Sequence, residues 1–166
     1  MSRIRSEQML LPSILDRLID LEPDSKTENT SGGNRQSLVE LKASVCRDLE
    51  MLLNTRVCFT SVPPDQRHLA RSVVNYGIPD FGAASVDASR SLEDVRDQIT
   101  KAIRNFETRF KKFTVELDTK SISKFNRSIH FVIDGVLYAD PDPVPVVFSS
   151  QLNTLAGEFS VKDRNR

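Results

Sequence analysis

Residues 91–117, SLEDVRDQITKAIRNFETRFKKFTVEL, change period midway, and the change decides the fold. Leu92, Val95, Ile99, Ala102, Ile103 and Phe106 recur every three or four residues, the apolar stripe of an amphipathic helix. Ser91 with Asp94 three residues later is a variant of the capping-box pattern, so the helix is expected to begin there. Beyond Phe106 the helical spacing decays. Phe113, Val115 and Leu117 then alternate with Thr114, Glu116 and Asp118, the period of a half-buried strand. Between the two periods stand Glu107, Thr108 and Arg109, an acid and a base at a helix-to-strand joint. Taken alone, such a joint reads most simply as a solvated charged turn.

Upstream, residues 10–21 read LLPSILDRLIDL, with Leu11, Ile14, Leu15, Leu18 and Ile19 on one helical face and Pro12 at a tolerated first-turn position. Residues 22–36 are rich in Ser, Asn, Gly, Asp and Lys without apolar periodicity, as in a flexible linker. This divides the chain into an N-terminal helix plus linker over 1–36 and one domain over 37–166. A short amphipathic helix on such a tether either folds back on its own core or docks into a groove on another protein. Ser37 and Glu40 form a capping box ahead of Leu38, Leu41, Val45, Leu49 and Leu52, a helix ending near Asn54. A brief extended piece is expected at 56–60. A second short helix is expected from Pro63-Pro64-Asp65 through Leu69, Ser72 and Val73. Asn75-Tyr76-Gly77 stops it, and Pro79 keeps Ile78 extended.

The C-terminal third is strand-like. Ile129, Phe131, Ile133, Gly135 and Leu137 alternate with His130, Val132, Asp134, Val136 and Tyr138. One long strand with a bulge or close contact at Gly135 fits better than a hairpin with two very short arms. Residues 139–145, ADPDPVP, turn the chain. Val146-Val147-Phe148 resume a strand, and Ala156-Gly157-Glu158 form a turn before Phe159-Ser160-Val161. Helices first and strands after make an α+β fold, N-terminal helices packed on a small antiparallel or mixed sheet built mainly by the C-terminal half.

The 166 residues suffice for one domain with a real core. Lys plus Arg and Asp plus Glu both number 23, so no global basic field draws the chain to nucleic acid or an acidic membrane. Cys46 and Cys58 are the only cysteines and there are two histidines, the usage of a reducing compartment without a zinc site. No apolar run approaches the roughly 18 residues of a membrane span. No signal-peptide core is present in what precedes Pro12, so a cytoplasmic protein is expected.

Three segments carry a family resemblance: RDLEMLLNTR at 47–56, SVVNYGIPDF at 72–81 and FETRF at 106–110, preceded by LLPSILDRLID. In that order and spacing they resemble the TssE family, the small baseplate subunit of bacterial type VI secretion systems, over nearly the whole chain. That family is related to the "lysozyme-like" wedge protein of contractile-phage baseplates. The resemblance implies a non-enzymatic structural subunit, one copy per wedge and without cofactor. It would join the wedge subunits TssF and TssG, with TssK reached through them, to the TssB–TssC sheath and help start sheath assembly. It implies partner binding by Glu107, Thr108 and Arg109, where the family's hallmark Glu-Pro-Arg here carries threonine in place of proline. Leu11, Ile14, Leu15 and Leu18 would form a second contact. Arg47, Leu49, Leu53 and Asn54, with Asn75, Tyr76 and Gly77, are framework. A sheath starter needs an unpaired strand edge, and residues 146–159, near the prolines at 141, 143 and 145, are expected to supply or border it.

The alternative is a peptidoglycan-cleaving enzyme with Glu107 as its acid. Such chemistry needs two carboxylates about 5–10 Å apart across a sugar cleft, and Glu116 or Asp118 would have to be the second. Against it, the chain has no Trp and two Tyr for sugar platforms. Glu116 and Asp118 fall on the solvated side of their strand, and Arg109 would hold Glu107 ionised, the opposite of what a general acid requires. His68 and His130 lack partners at ligand spacing, and Cys46 reads as core filler. Arg47, Asp48, Glu50 and Arg56 read as surface charges. Arg104, Arg109, Lys111 and Lys112 cluster without interleaved Tyr or Trp, which suits a helix terminus better than nucleic acid.

Overall fold

The computed structural model describes residues 13–19, 23–24, 37–57, 63, 65–80, 89–118, 128–139, 142–154 and 156–164. Helix α1 spans Ile14–Leu18, α2 Leu38–Asn54, α3 Arg67–Ala70 and α4 Ser89–Phe106, with a 3-10 turn at Val73–Asn75. Strands β1 (Phe110–Leu117), β2 (Ser128–Leu137), β3 (Val144–Asn153) and β4 (Glu158–Asp163) form one antiparallel sheet in the order β1-β2-β3-β4. The fold is therefore α+β, helices in the first half and a four-stranded antiparallel sheet in the second.

The two long helices cover one face of the sheet. α2 packs on β4, α4 packs on β1, and the helices meet each other between them. α2 starts where the sequence indicates. Ser37 Oγ accepts from the Glu40 N–H at 3.3 Å, and the Glu40 carboxylate accepts from the Ser37 N–H at 2.7 Å. Its stripe of Val45, Leu49, Leu52 and Leu53 meets Val95, Ile99 and Ile103 of α4 and the inward row Ile129, Phe131, Ile133 and Leu137 of β2 in one core. Fully burying each such side chain stabilises by about 1.5–3 kcal/mol. α4 begins at Ser89, two residues ahead of the expected Ser91. The expected helix from Pro63 is reduced to α3 and the 3-10 turn. Leu69 is only half-buried and Val73 is exposed, so neither joins the core to extend it.

β2 is one unbroken strand, and Gly135 marks a close contact. A Cβ added there would stand 2.8 Å from the Phe110 ring and 3.1 Å from the Lys112 carbonyl. The register of β1 against β2 shifts between Phe110 and Lys112, beside that contact. Gly77 has φ +112°, and a Cβ there would stand 2.3 Å from the Thr55 carbonyl oxygen, while its neighbour Tyr76 meets Phe106 of α4. Arg56 and Ile78 pair in a single parallel bridge, the extended pieces expected on either side of α3.

The expected edge at 146–159 needs correction. β3 lies between β2 and β4, so the residues following Pro145 are central over 148–153. Only 144–147 extend beyond the end of β4, which is where Pro145 is accommodated, though Arg164 still donates to the Val147 carbonyl at 2.9 Å. β4, the edge strand, is closed by α2. Asn54 accepts from the Phe159 N–H and donates to its carbonyl, both at 2.8 Å. Glu50 accepts from the Val161 N–H at 2.9 Å, and Cys46 Sγ donates to the Val161 carbonyl at 3.2 Å. Three residues spaced by four on one helix stripe thus stand in for a fifth strand.

Gly135→Ala is expected to cost about 1–3 kcal/mol in urea denaturation through overpacking against Phe110, with Phe110→Leu recovering part of the loss.

Candidate functional site

The joint between α4 and β1 is built from its own charges. Glu107 follows the last helical residue, and its N–H donates to the Ile103 carbonyl at 2.9 Å. A carboxylate at a helix C-terminus sits at the negative pole of the dipole. Glu107 is also buried, 8% exposed, so it requires a cation. Arg109 supplies it. Its Nε donates to Oε1 at 2.8 Å and its Nη2 to Oε2 at 2.5 Å, and its backbone N–H donates to Oε1 at 3.0 Å.

The same guanidinium ties the joint to α2. Nη2 donates to Asp48 Oδ2 at 2.6 Å and Nη1 to Ser44 Oγ at 3.2 Å, Ser44 and Asp48 being one turn apart. Burial alone would lower the Arg109 pKa, but the hydrogen bond and charge of Glu107, and then those of Asp48, outweigh it and raise it. Asp48 passes the chain of charges on. Arg47 donates to Asp48 Oδ1 through Nε at 3.0 Å and Nη2 at 2.8 Å, and through Nη2 to Asp16 Oδ1 of α1 at 2.7 Å. Charges of alternating sign therefore run Asp16, Arg47, Asp48, Arg109, Glu107, from the N-terminal helix to the joint.

Apolar groups frame this ladder. Tyr76 meets Phe106 edge-on, centroids 5.1 Å apart at 70°. Burial, and after it the charges of Asp48 and Glu107, raises the Tyr76 phenol pKa. A cavity of about 340 Å³ is lined by Tyr76, Phe106 and Leu52 with Asp48, Thr108 and Arg109, and Ser13 and Leu15 of α1 complete its wall.

Glu107 and Arg109 are thus brought together, turned on each other and on α2; Thr108 between them is exposed. Ile14 and Leu18 are 77% exposed and Leu15 46%, while Leu11 lies outside the described residues. Leu49 and Leu53 are core residues, Asn54 holds β4, and Asn75 Nδ2 donates to the Ala70 carbonyl at 2.9 Å. The reading of Arg47 as a surface charge holds, its side chain being 40% exposed, whereas that of Asp48, Glu50 and Arg56 needs correction. Asp48 holds Arg109, Glu50 holds β4, and Arg56 donates to the Leu53 and Gly157 carbonyls. The available signal was spacing: Ser44 and Asp48 flank the buried Val45 and Leu49, and Cys46, Glu50 and Asn54 fall four apart. Among the described residues no group of three or more His, Cys, Asp or Glu could hold a metal ion, and no helix is long and apolar enough to cross a membrane.

A family profile described as "Baseplate wedge protein gp25" matches residues 39–142, from α2 through the corner to the end of β2. The chain belongs to the gp25 baseplate wedge family. TssE belongs to the same family, so the resemblance carried by the three motifs is upheld at that level. The family supports a structural role in a phage tail-like baseplate. Neither the curated proteins nor the solved structures gave a match to this chain. The matched region stops short of β3 and β4, yet α2 closes the edge of β4, so the two parts share one sheet and one core.

Arg109→Ala strands two acidic groups, one of them buried. We expect a loss of about 2–4 kcal/mol in urea denaturation, somewhat below the full cost of breaking a buried pair because Arg109 keeps partial contact with solvent. Arg109→Lys should recover only part of it, an ammonium lacking the fork that spans Glu107, Asp48 and Ser44.

Proposed function

We propose that this chain is the type VI secretion member of its family, a non-enzymatic TssE subunit working in the cytoplasm. It would join a wedge core of TssF and TssG, with TssK reached through them, to the base of a TssB–TssC sheath and help that sheath to start. The observation that carries this reading is the coincidence of the family match with the corner: the three motifs pack together around the Glu107–Arg109 pair. The corner presents Thr108 outward on a joint stiffened from both sides, and α1, whose Leu15 lines the same cavity as Thr108, leaves Ile14 and Leu18 exposed. A surface rigid before binding loses less entropy on association. Glu107 serves an acid's chemistry poorly, since both carboxylate oxygens already accept from Arg109.

The ion pair holds the fold, so alanine variants of Glu107 and Arg109 would mix folding with binding. Thr108 separates them. Thr108→Arg should leave the melting temperature unchanged and abolish co-purification with TssF and TssG, whereas Thr108→Pro should keep both. Full co-purification of Thr108→Arg would remove the corner from the interface.

With β4 closed by α2, the edge offered to a sheath strand is that of β1. The Asp118 N–H donates to the His130 carbonyl at 2.8 Å, so alternation points the N–H and C=O groups of Phe113, Val115 and Leu117 away from β2. Among the described residues no strand pairs there. Strand addition on this edge would give the sheath its first template. Leu117→Pro removes one outward donor at the strand's end and is expected to reduce sheath assembly, counted by fluorescence microscopy of a labelled sheath, without changing wedge binding.

A further inference from the structure

Helix α1 has no buried residue, yet it has a defined seat. Ser13 and Asp16 form a capping box, Ser13 Oγ accepting from the Asp16 N–H at 3.1 Å. The Asp16 carboxylate then accepts from Arg47 at 2.7 Å, with 10% of its side chain exposed. Leu15, its sequence neighbour, lines the corner cavity opposite Tyr76 and Phe106. The outer side of the helix, Ile14 and Leu18, faces solvent. Among the described residues α1 is attached by the Asp16–Arg47 ion pair and by Ser13 and Leu15 at the cavity wall, all converging on the corner.

We propose that α1 is a strap held in cis over the corner cavity by the Asp16–Arg47 pair. Its closed position sets Leu15 across the corner cavity from Thr108 and leaves Ile14 and Leu18 exposed, available to the same wedge partner as the corner. Arg47 is the buckle. It grips Asp16 with the same Nη2 that grips Asp48, and Asp48 in turn holds Arg109. The strap and the joint thus share one line of charges, and breaking it at Asp16 frees α1 without touching Glu107 or Arg109. Because the attachment is a partly exposed ion pair, added salt should open the strap long before it affects the core. The importance of the closed strap for docking rests on the corner being the partner site; the strap's existence does not.

The chain itself supplies the probe. It has no Trp and two Tyr, of which Tyr138 is 59% exposed and Tyr76 lies in the cavity wall. In a full-length Tyr138→Phe protein, tyrosine fluorescence therefore reports Tyr76 alone. Asp16→Lys, which sets like charges face to face, should raise acrylamide quenching of Tyr76 towards that of free tyrosine. High salt should do the same to the Tyr138→Phe parent, with the melting temperature unmoved in the variant. Wedge binding by Asp16→Lys should weaken about two- to fivefold, the range of one exposed ion pair. Unchanged quenching in Asp16→Lys would overturn the strap, whatever the corner binds. Raised quenching with undiminished wedge binding would overturn its part in docking. A lowered melting temperature in Asp16→Lys would place α1 in the core and overturn the proposal as well.

Discussion

A carboxylate buried at the negative end of a helix is the constraint around which this domain is arranged. Glu107 closes α4 and is largely withdrawn from water, so a cation returned to it within a few residues offsets the cost of its burial. Arg109 does so, and the turn between them is thereby tightened into a joint whose helix and strand leave at a fixed angle. One guanidinium cannot balance two acids in an apolar surrounding without further donors and acceptors. Ser44 and the solvent-touching edge of Asp48 complete the set, which obliges α2 to lie against the joint.

From that placement the rest follows. With α2 fixed at its middle by Asp48, its C-terminal half reaches β4, and Cys46, Glu50 and Asn54 meet the strand's outward peptide groups. One sheet edge is thereby closed by a helix; the other is β1, the strand that starts at the joint, with which no further strand pairs among the described residues. The alternating charges also extend in the opposite direction to α1. A motif two residues long at its charged ends thus governs the helix pair, the choice of open edge and the position of the N-terminal helix.

Much of this was legible in the sequence and some was not. The period change after Phe106, the capping box at Ser37 and the unbroken strand through Gly135 are local patterns, and each appears in the structure. The Glu107–Arg109 corner was visible as a motif. Its internal pairing was not, because spacing alone does not tell whether two charges face a partner or each other. Asp48 and Glu50 read as solvated because their partners, Arg109 and the Val161 N–H, are distant in the chain. The sheet order escaped for a similar reason. Prolines near 145 signal an edge, but β3 is an edge only where it extends beyond β4.

The central claim is that the corner is a three-charge unit joining α2 to the α4–β1 joint, and a double-mutant cycle between Asp48 and Arg109 tests it most directly. Urea denaturation of Asp48→Ala, Arg109→Ala and the double variant gives their coupling. Residues sharing one ion-pair network are predicted to couple by about 0.5–3 kcal/mol. Additive losses, with coupling indistinguishable from zero, would contradict the account and reduce the corner to a solvated turn beside an unrelated helix.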